Sequence, residues 1–269
     1  MLILFVVEAL IFSTLLYYYL HQKTRISLKY IYQDNVVVIL LTVLIGFICF
    51  RFLPHEWNWL VLAVCPFLVL GIAFSLTMIR FWRTPTRRIS AKDNEIVCPA
   101  DGNVIYITRV EAGSVPVSIK GKNLSRLEEL TKTDLLDKPC WLVGINMTPF
   151  DVHKNCAPID GQIILNQHFN GKFLSLKDST AISENERNTY VISNGKVKIG
   201  IVQIASRLVR RIDSYVTQGA HVKQGEWLGM IRFGSQVDVI IPIDYKVVVS
   251  IKEQTYAGET ILARIEKNV

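Results

Sequence analysis

The chain has 269 residues, half of them hydrophobic, and a formal net charge of +7, which leaves room for one catalytic domain plus accessory segments. Its five cysteines (Cys49, Cys65, Cys98, Cys140 and Cys156) are odd in number and form no CxxC pair; this argues against a disulfide framework or a zinc site and fits a reducing compartment. The modest basic excess suits a domain lying on an anionic membrane surface; no nucleic-acid partner and no metal are expected.

The apolar residues are concentrated at the N-terminus. Residues 2–20 are apolar apart from Glu8, residues 36–50 carry no charge, and residues 59–79 form an uncharged run of 21. About 20 apolar residues cross the hydrocarbon core as a helix. The third run suffices alone, whereas the second is short and extends to Leu53 only by taking in Arg51. The first lacks the basic n-region and small-residue cleavage site of a signal peptide. Three transmembrane helices are expected, with two as the alternative, making residues 1–79 a membrane anchor. Lys23, Arg25 and Lys29 lie between the first two runs, and Arg80, Arg83, Arg87 and Arg88 follow the third. Both basic clusters fall on one side if the N-terminus is outside. That arrangement predicts a multi-pass protein of the cell (inner) membrane whose remaining domain, residues 80–269, faces the cytoplasm. Glu8, near a helix end, is expected to reach the interface.

From about residue 95 short β-branched runs are broken by glycine, asparagine or proline: Val197–Ala205, Leu228–Phe233, Val237–Ile241 and Lys246–Ile251. They predict a mainly β, mixed α+β catalytic domain. Gly219, Val222, Gly225 and Gly229 follow one another at turn spacing, a rhythm like that of barrel-sandwich hybrids. One segment breaks the β pattern. Asn123–Leu136 brings Leu124, Leu127, Leu130 and Leu135 near one helical face and is expected to be an amphipathic helix packed on the domain.

Four stretches carry the chemistry: FWRTPTR (81–87), CPADGNV (98–104), MTPFDVHKNCAPIDG (147–161) and FGSQVDVIIP (233–242). Each alone has an ordinary explanation: a stop after a membrane span, a turn, a packed histidine, a bend between strands. Together, in this order, they resemble the phosphatidylserine decarboxylase family, most closely its short bacterial and archaeal form. The resemblance covers roughly residues 80–245 and includes GKF (171–173), ENERN (184–188) and QIASRLVRRI (203–212).

The resemblance implies a proenzyme that cuts itself between Gly234 and Ser235. Ser235 Oγ would attack the Gly234 carbonyl, and elimination and hydrolysis would leave a covalent pyruvoyl group in place of Ser235. Glycine at 234 keeps that carbonyl open to attack. Decarboxylation of an α-amino acid needs an electron sink; a pyruvoyl group serves by forming a Schiff base with the substrate amine. No Gly-rich phosphate loop suggests pyridoxal phosphate instead. The implied substrate is phosphatidylserine, converted to phosphatidylethanolamine and carbon dioxide, with another serine-headgroup lipid such as archaetidylserine as one alternative and a non-catalytic membrane-tethered adaptor as another. The mature protein would pair a β chain, residues 1–234, with an α chain, residues 235–269; homo-oligomerisation is left open. The family's pattern carries over to Asp101, which would orient or polarise the histidine, and to His153, the base of a serine that needs help as a nucleophile. The chain departs from longer members of the family at one place. They carry a second histidine three residues after the first, and Cys156 stands there. His153 is then expected to serve both maturation and turnover. His168 and His221 qualify as helpers by residue type alone, and Cys156 is expected to be inert.

Overall fold

The computed structural model describes residues 1–24, 28–89, 91–92, 94–120, 123–170, 186–205, 211–232 and 235–265. They form two compact units, Met1–Trp82 and Arg83–Val269.

The first unit holds α1 (Leu2–Thr24), α2 (Leu28–Phe52) and α3 (Asn58–Trp82). All three are long and apolar enough to cross a membrane. Phe5, Ala9, Tyr17, Val38, Cys65, Val69 and Ala73 pack between them, while Ile3, Leu15, Leu40, Phe67 and Phe74 point outward. Helices apolar on every side are found in protein cores or in lipid. Helix α2 starts eight residues before the uncharged run at Val36 and takes in Asp34 and Asn35. Both polar residues are paired inside the bundle. Arg80 Nε of α3 donates to Asp34 Oδ2 at 2.9 Å, and Ser13 Oγ of α1 donates to Asn35 Oδ1 at 2.5 Å. A charge inside an apolar bundle is tolerated when it is paired in this way.

The second unit is built on an eight-stranded antiparallel sheet. From one edge to the other its strands are His221–Val222, Gly161–Phe169, Arg187–Ser193, Lys198–Ile204, Gln236–Pro242, Cys140–Asn146, Gly102–Val110 and Gln254–Thr255. Side chains alternate across it with period two. Val143, Ile145, Ile199, Ile201, Val237 and Val239 line one core. Leu142, Val191, Val202, Ile204 and Ile240 line the other. Because both faces are covered, the central strands read as continuous apolar runs. Two three-stranded sheets flank this one: Glu95–Val97, Ile261–Ile265 and Tyr245–Val247, and Ile212–Ser214, Trp227–Ile231 and Lys154–Cys156. A hairpin pairs Val117–Lys120 with Asn123–Arg126. The mixed helix-and-sheet class expected from the sequence is what the chain adopts.

Two expectations fail. The amphipathic helix over Asn123–Leu136 is instead a strand, Asn123–Arg126, followed by 3-10 turns at Glu128–Lys132 and Asp134–Leu136. Thr133 is extended (φ −126°, ψ 160°) and interrupts any helix. Leu127 and Leu130, three apart, fit a 3-10 turn as well as an α-helix. With Leu135 and Leu136 they cap the second core, whereas Leu124 is 51% exposed. The strand over Lys246–Ile251 is only Tyr245–Val247. The chain then turns, with Ser250 N–H on Glu253 Oε2 at 2.8 Å and Lys252 at φ +74°.

Candidate active site

The CPADGNV turn delivers Asp101 to the start of the Gly102–Val110 strand. Gly102 adopts φ +148°, and a Cβ there would lie 2.4 Å from the Asn146 carbonyl oxygen, so only glycine allows the turn to close onto the sheet. Asp101 is 1% exposed. Arg87 Nη2 donates to both of its oxygens, at 2.6 and 2.7 Å. The Ala257 N–H donates to Oδ1 at 2.8 Å and the Val152 N–H to Oδ2 at 3.4 Å. Arg87 also reaches Glu259 at 3.5 Å. One carboxylate thereby ties three distant segments together, one of them the main chain next to His153.

A second carboxylate shapes the turn before the histidine. Asp151 Oδ2 accepts from the N–H and the hydroxyl of Thr148, both at 2.7 Å, and Oδ1 accepts from Gln254 Nε2 at 3.1 Å. Burial, and less strongly the charge of Asp101, push the Asp151 carboxyl upward against the Thr148 and Gln254 hydrogen bonds. The Asp151 carbonyl lies 2.9 Å from His153 Nδ1. A carbonyl only accepts, so the neutral ring carries its proton on Nδ1 and its lone pair on Nε2. His153 has no solvent exposure. Its burial first, and then the positive charges of Arg83 and Lys120, lower its pKa to about 4 against the Asp151 hydrogen bond. At neutral pH this imidazole is an uncharged base.

Ser235 stands immediately before the Gln236–Pro242 strand and is 1% exposed. Its Oγ has no hydrogen-bond partner among the described residues. Ile231 and Ser235 are each bonded to the histidine segment. The Ile231 N–H donates to the His153 carbonyl at 3.1 Å, and the Met147 N–H to the Ser235 carbonyl at 3.0 Å. Lys154, beside His153, donates to Thr84 Oγ1 of the FWRTPTR motif at 2.6 Å. The four sequence motifs are therefore joined by direct hydrogen bonds. Gly234 and Phe233 lie outside the described residues, as do Arg25, GKF (171–173), Glu184 and Asn185 of ENERN, and residues 206–210 of QIASRLVRRI.

The helpers considered by residue type lie elsewhere or are locked. Cys156 is fully buried, its thiol 3.6 Å from the Cys98 carbonyl, and burial pushes that thiol far up. His168 Nε2 pairs with Glu186 at 3.1 Å. His221 is exposed on the edge strand, with three strands between it and Gln236–Pro242. Sequence reasoning missed Arg87 as the partner of Asp101, and missed Thr148, Asp151 and Gln254. The Thr-Pro-Phe-Asp word carried a signal, since an aspartate often bonds back within a tight turn. Gln254, 103 residues from Asp151, carried none.

A serine hydroxyl, an imidazole and a carboxylate are the residue types that can activate serine as a nucleophile; here Ser235 Oγ is not hydrogen-bonded to His153, and Asp101 reaches the histidine segment through the Val152 N–H. The family model described as phosphatidylserine decarboxylase matches residues 74–263. The "Putative archaetidylserine decarboxylase proenzyme" of Methanocaldococcus jannaschii is 38% identical over 206 residues, 75% of this chain and 93% of that protein. The phosphatidylserine decarboxylase proenzyme of Cytophaga hutchinsonii is 35% identical over 73% of this chain and 80% of its own length. That of Prosthecochloris aestuarii is 33% identical over 84% and 92%. No solved structure matches the chain. By the extent of these matches, the chain belongs to the phosphatidylserine decarboxylase family.

Proposed function

We propose that the chain is a membrane-anchored proenzyme that cuts itself between Gly234 and Ser235 and then decarboxylates phosphatidylserine to phosphatidylethanolamine. The observation that carries this reading is the Ser235 hydroxyl, buried yet without a hydrogen-bond partner among the described residues. A structural serine in such a place would be satisfied; a reacting one keeps its oxygen uncommitted. The residues present fit a pyruvoyl group made from Ser235, which supplies the electron sink that loss of carbon dioxide requires.

The remaining steps belong to the chain's own side chains. His153 Nε2 is the atom that takes the Ser235 hydroxyl proton as Oγ attacks. Burial keeps that nitrogen unprotonated at neutral pH, so it is in the state that accepts a proton. In turnover the same nitrogen would deliver to the substrate carbon a proton that it takes up anew from solvent or substrate in each cycle. Asp101, clamped by Arg87, holds the main chain at Val152 and so fixes where the imidazole sits. Asp151 sets its tautomer.

The reading assigns residues 1–79 to a membrane anchor and 80–269 to the decarboxylase domain. Support comes from the three apolar helices and the basic residues following each cytoplasmic end. A reporter fused after Val269 should be active only in the cytoplasm. The finer description as a barrel-sandwich hybrid draws support from the turn glycines at 219, 225 and 258, each at φ between +76° and +90°. A second substrate reading, an ether-linked serine lipid, is favoured by the name of the Methanocaldococcus relative; turnover assays with both lipids separate the two. A denaturing gel with intact-mass measurement tests the central claim. A fragment of 35 residues, 235–269, without a free N-terminal amine is expected. A wild-type chain that stays at 30.6 kDa overturns the reading and favours an adaptor.

A further inference from the structure

The side chains of the Gln236–Pro242 strand divide between the two cores, and on the side of Ile240 lies a polar cluster that the chemistry above does not use. Asp238 has no solvent exposure. The Tyr106 hydroxyl donates to its Oδ2 at 2.7 Å, and Gln236 Nε2 donates to its Oδ1 at 2.8 Å. The same Gln236 nitrogen lies 3.0 Å from the Ile119 carbonyl and 3.1 Å from the Tyr106 hydroxyl. Lys120, next along the hairpin, donates to the Ile204 carbonyl at 2.8 Å, and Ile204 is the residue paired with Gln236 across the sheet. The Tyr106 ring passes over Gly144, where a Cβ would lie 2.4 Å from its Cζ. Gly144 is the residue opposite Asp238, so a glycine there is what lets Tyr106 reach the carboxylate.

The surrounding core, Leu142, Val202 and Ile240, is apolar, and packing alone gives no reason for a carboxylate within it. What the cluster grips is Gln236, the first residue after Ser235. In a continuous chain that grip is redundant, because Gln236 is already paired with Asn146 and Ile204 on either side. At a chain end it is not, since terminal residues of a strand fray unless tied down.

We propose that Tyr106, Gln236 and Asp238, with the Ile119–Lys120 edge of the hairpin, form a positioning clamp that holds the new chain end at residue 235 in register once the 234–235 bond is cut. The proposal rests on the self-cleavage reading and adds a task that follows cleavage. The clamp touches neither substrate nor the reacting atoms.

The test compares cut and uncut protein. Tyr106→Phe removes one hydroxyl and little else, and Gln236→Leu removes the grip itself. Each is made in the full chain and again in a Ser235→Ala background, which stays continuous. Tyr106→Phe should still cleave. In the cut form, amides of residues 236–239 should exchange about tenfold faster, roughly the worth of one hydrogen bond. Its kcat should fall by a similar factor with KM unchanged. In the uncut background the same substitution should leave exchange unaltered. Gln236→Leu should show the same pattern, larger. Equal acceleration in both backgrounds reduces the cluster to sheet packing and overturns the clamp, as does unchanged kcat in both variants. A wild-type chain that never cuts overturns the cleavage reading itself, and the first gel shows it before any variant is made.

Discussion

Asp101 and Ser235 are equally buried, at 1% exposure each, and are partnered in opposite ways. Asp101 accepts two hydrogen bonds from Arg87 and one each from the Ala257 and Val152 N–H groups. The Ser235 hydroxyl accepts none from the described residues. A buried charge with a full set of partners holds structure together, and removing one partner leaves the rest uncompensated. A buried hydroxyl without partners gives up its hydration and gains nothing in the fold. On the proposed function the site would divide into an end that the fold depends on and an end that the chemistry depends on, and substitutions should separate them.

The largest effect on chemistry is expected at Ser235. Ser235→Ala should abolish cleavage completely on a gel while leaving the unfolding free energy unchanged or raised by about 1 kcal/mol, since an unsatisfied polar atom is removed. A strongly destabilised Ser235→Ala protein would mean the hydroxyl is structural, and the contrast with Asp101 would vanish. His153→Ala should slow cleavage and turnover by about 10²–10⁴-fold.

The largest effect on stability is expected at Arg87. Arg87→Ala strands the Asp101 carboxylate and should cost about 3–5 kcal/mol, read from denaturant melts in detergent. Arg87→Ala combined with Asp101→Asn should recover part of that loss, because the stranded charge is gone. If Arg87→Ala melts like wild type, the clamp carries no load and Asp101 must be reconsidered as a reacting group.

Acid gives the next effect. His153 stays neutral until about pH 4, whereas an unfolded histidine protonates near 6.5. Its folded pKa is depressed, so the unfolded chain takes up the proton first. The contribution is fully present above about pH 6.5 and is lost as pH falls through 4, amounting to about 3 kcal/mol. Subtracting the melts of His153→Gln from those of wild type isolates it from Asp151 and Asp238, whose raised carboxyl groups act in the opposite direction. The acid limb of self-cleavage, in which His153 accepts the proton, should lie near pH 4. A limb at 6.5 would show that the imidazole is open to water when it works.

Much of this was legible in the sequence, for identifiable reasons. The third apolar helix follows from an uncharged run of 21 residues, whereas the first two runs hold Glu8 or fall short of 20 residues and left two or three spans open. The strands at Lys198–Ile204 and Gln236–Pro242 follow from β-branched runs with turn residues on either side. Asp101, His153 and Ser235 stand in the short words that carry the family resemblance. The Asn123–Leu136 segment was misread because leucines three apart serve an α-helix and a 3-10 turn alike, and the deciding residue, Thr133, is neither glycine nor proline. Arg87 was visible but its partner was not, since nothing local says which carboxylate an arginine 14 positions away will meet. The Tyr106–Asp238 contact spans 132 positions, and only the sheet register brings it about.

Cys156 should produce the smallest effect, and it bears most directly on whether His153 works alone. Its side chain has no exposure, and its one described hydrogen bond is a weak thiol contact to the Cys98 carbonyl at 3.6 Å. Burial first, and then the neighbouring Cys98 and the charge of Asp101, raise the thiol so far that no thiolate forms at neutral pH. Arg87 opposes this only in part. A thiol raised this far does not give up its proton at neutral pH, so it offers no base to the serine. Cys156→Ala should therefore cleave and decarboxylate within about twofold of wild type, losing about 1 kcal/mol of stability for the vacated sulfur. Cys156→Ser should fold less well, because a hydroxyl there needs a stronger partner than a carbonyl at thiol distance. Precursor accumulating in Cys156→Ala, with a normal melt, would place the thiol in the maturation path. The satisfied end of the site would then contain a reacting group after all, since Cys156 hydrogen-bonds to the same Cys98–Ala100 turn that presents Asp101.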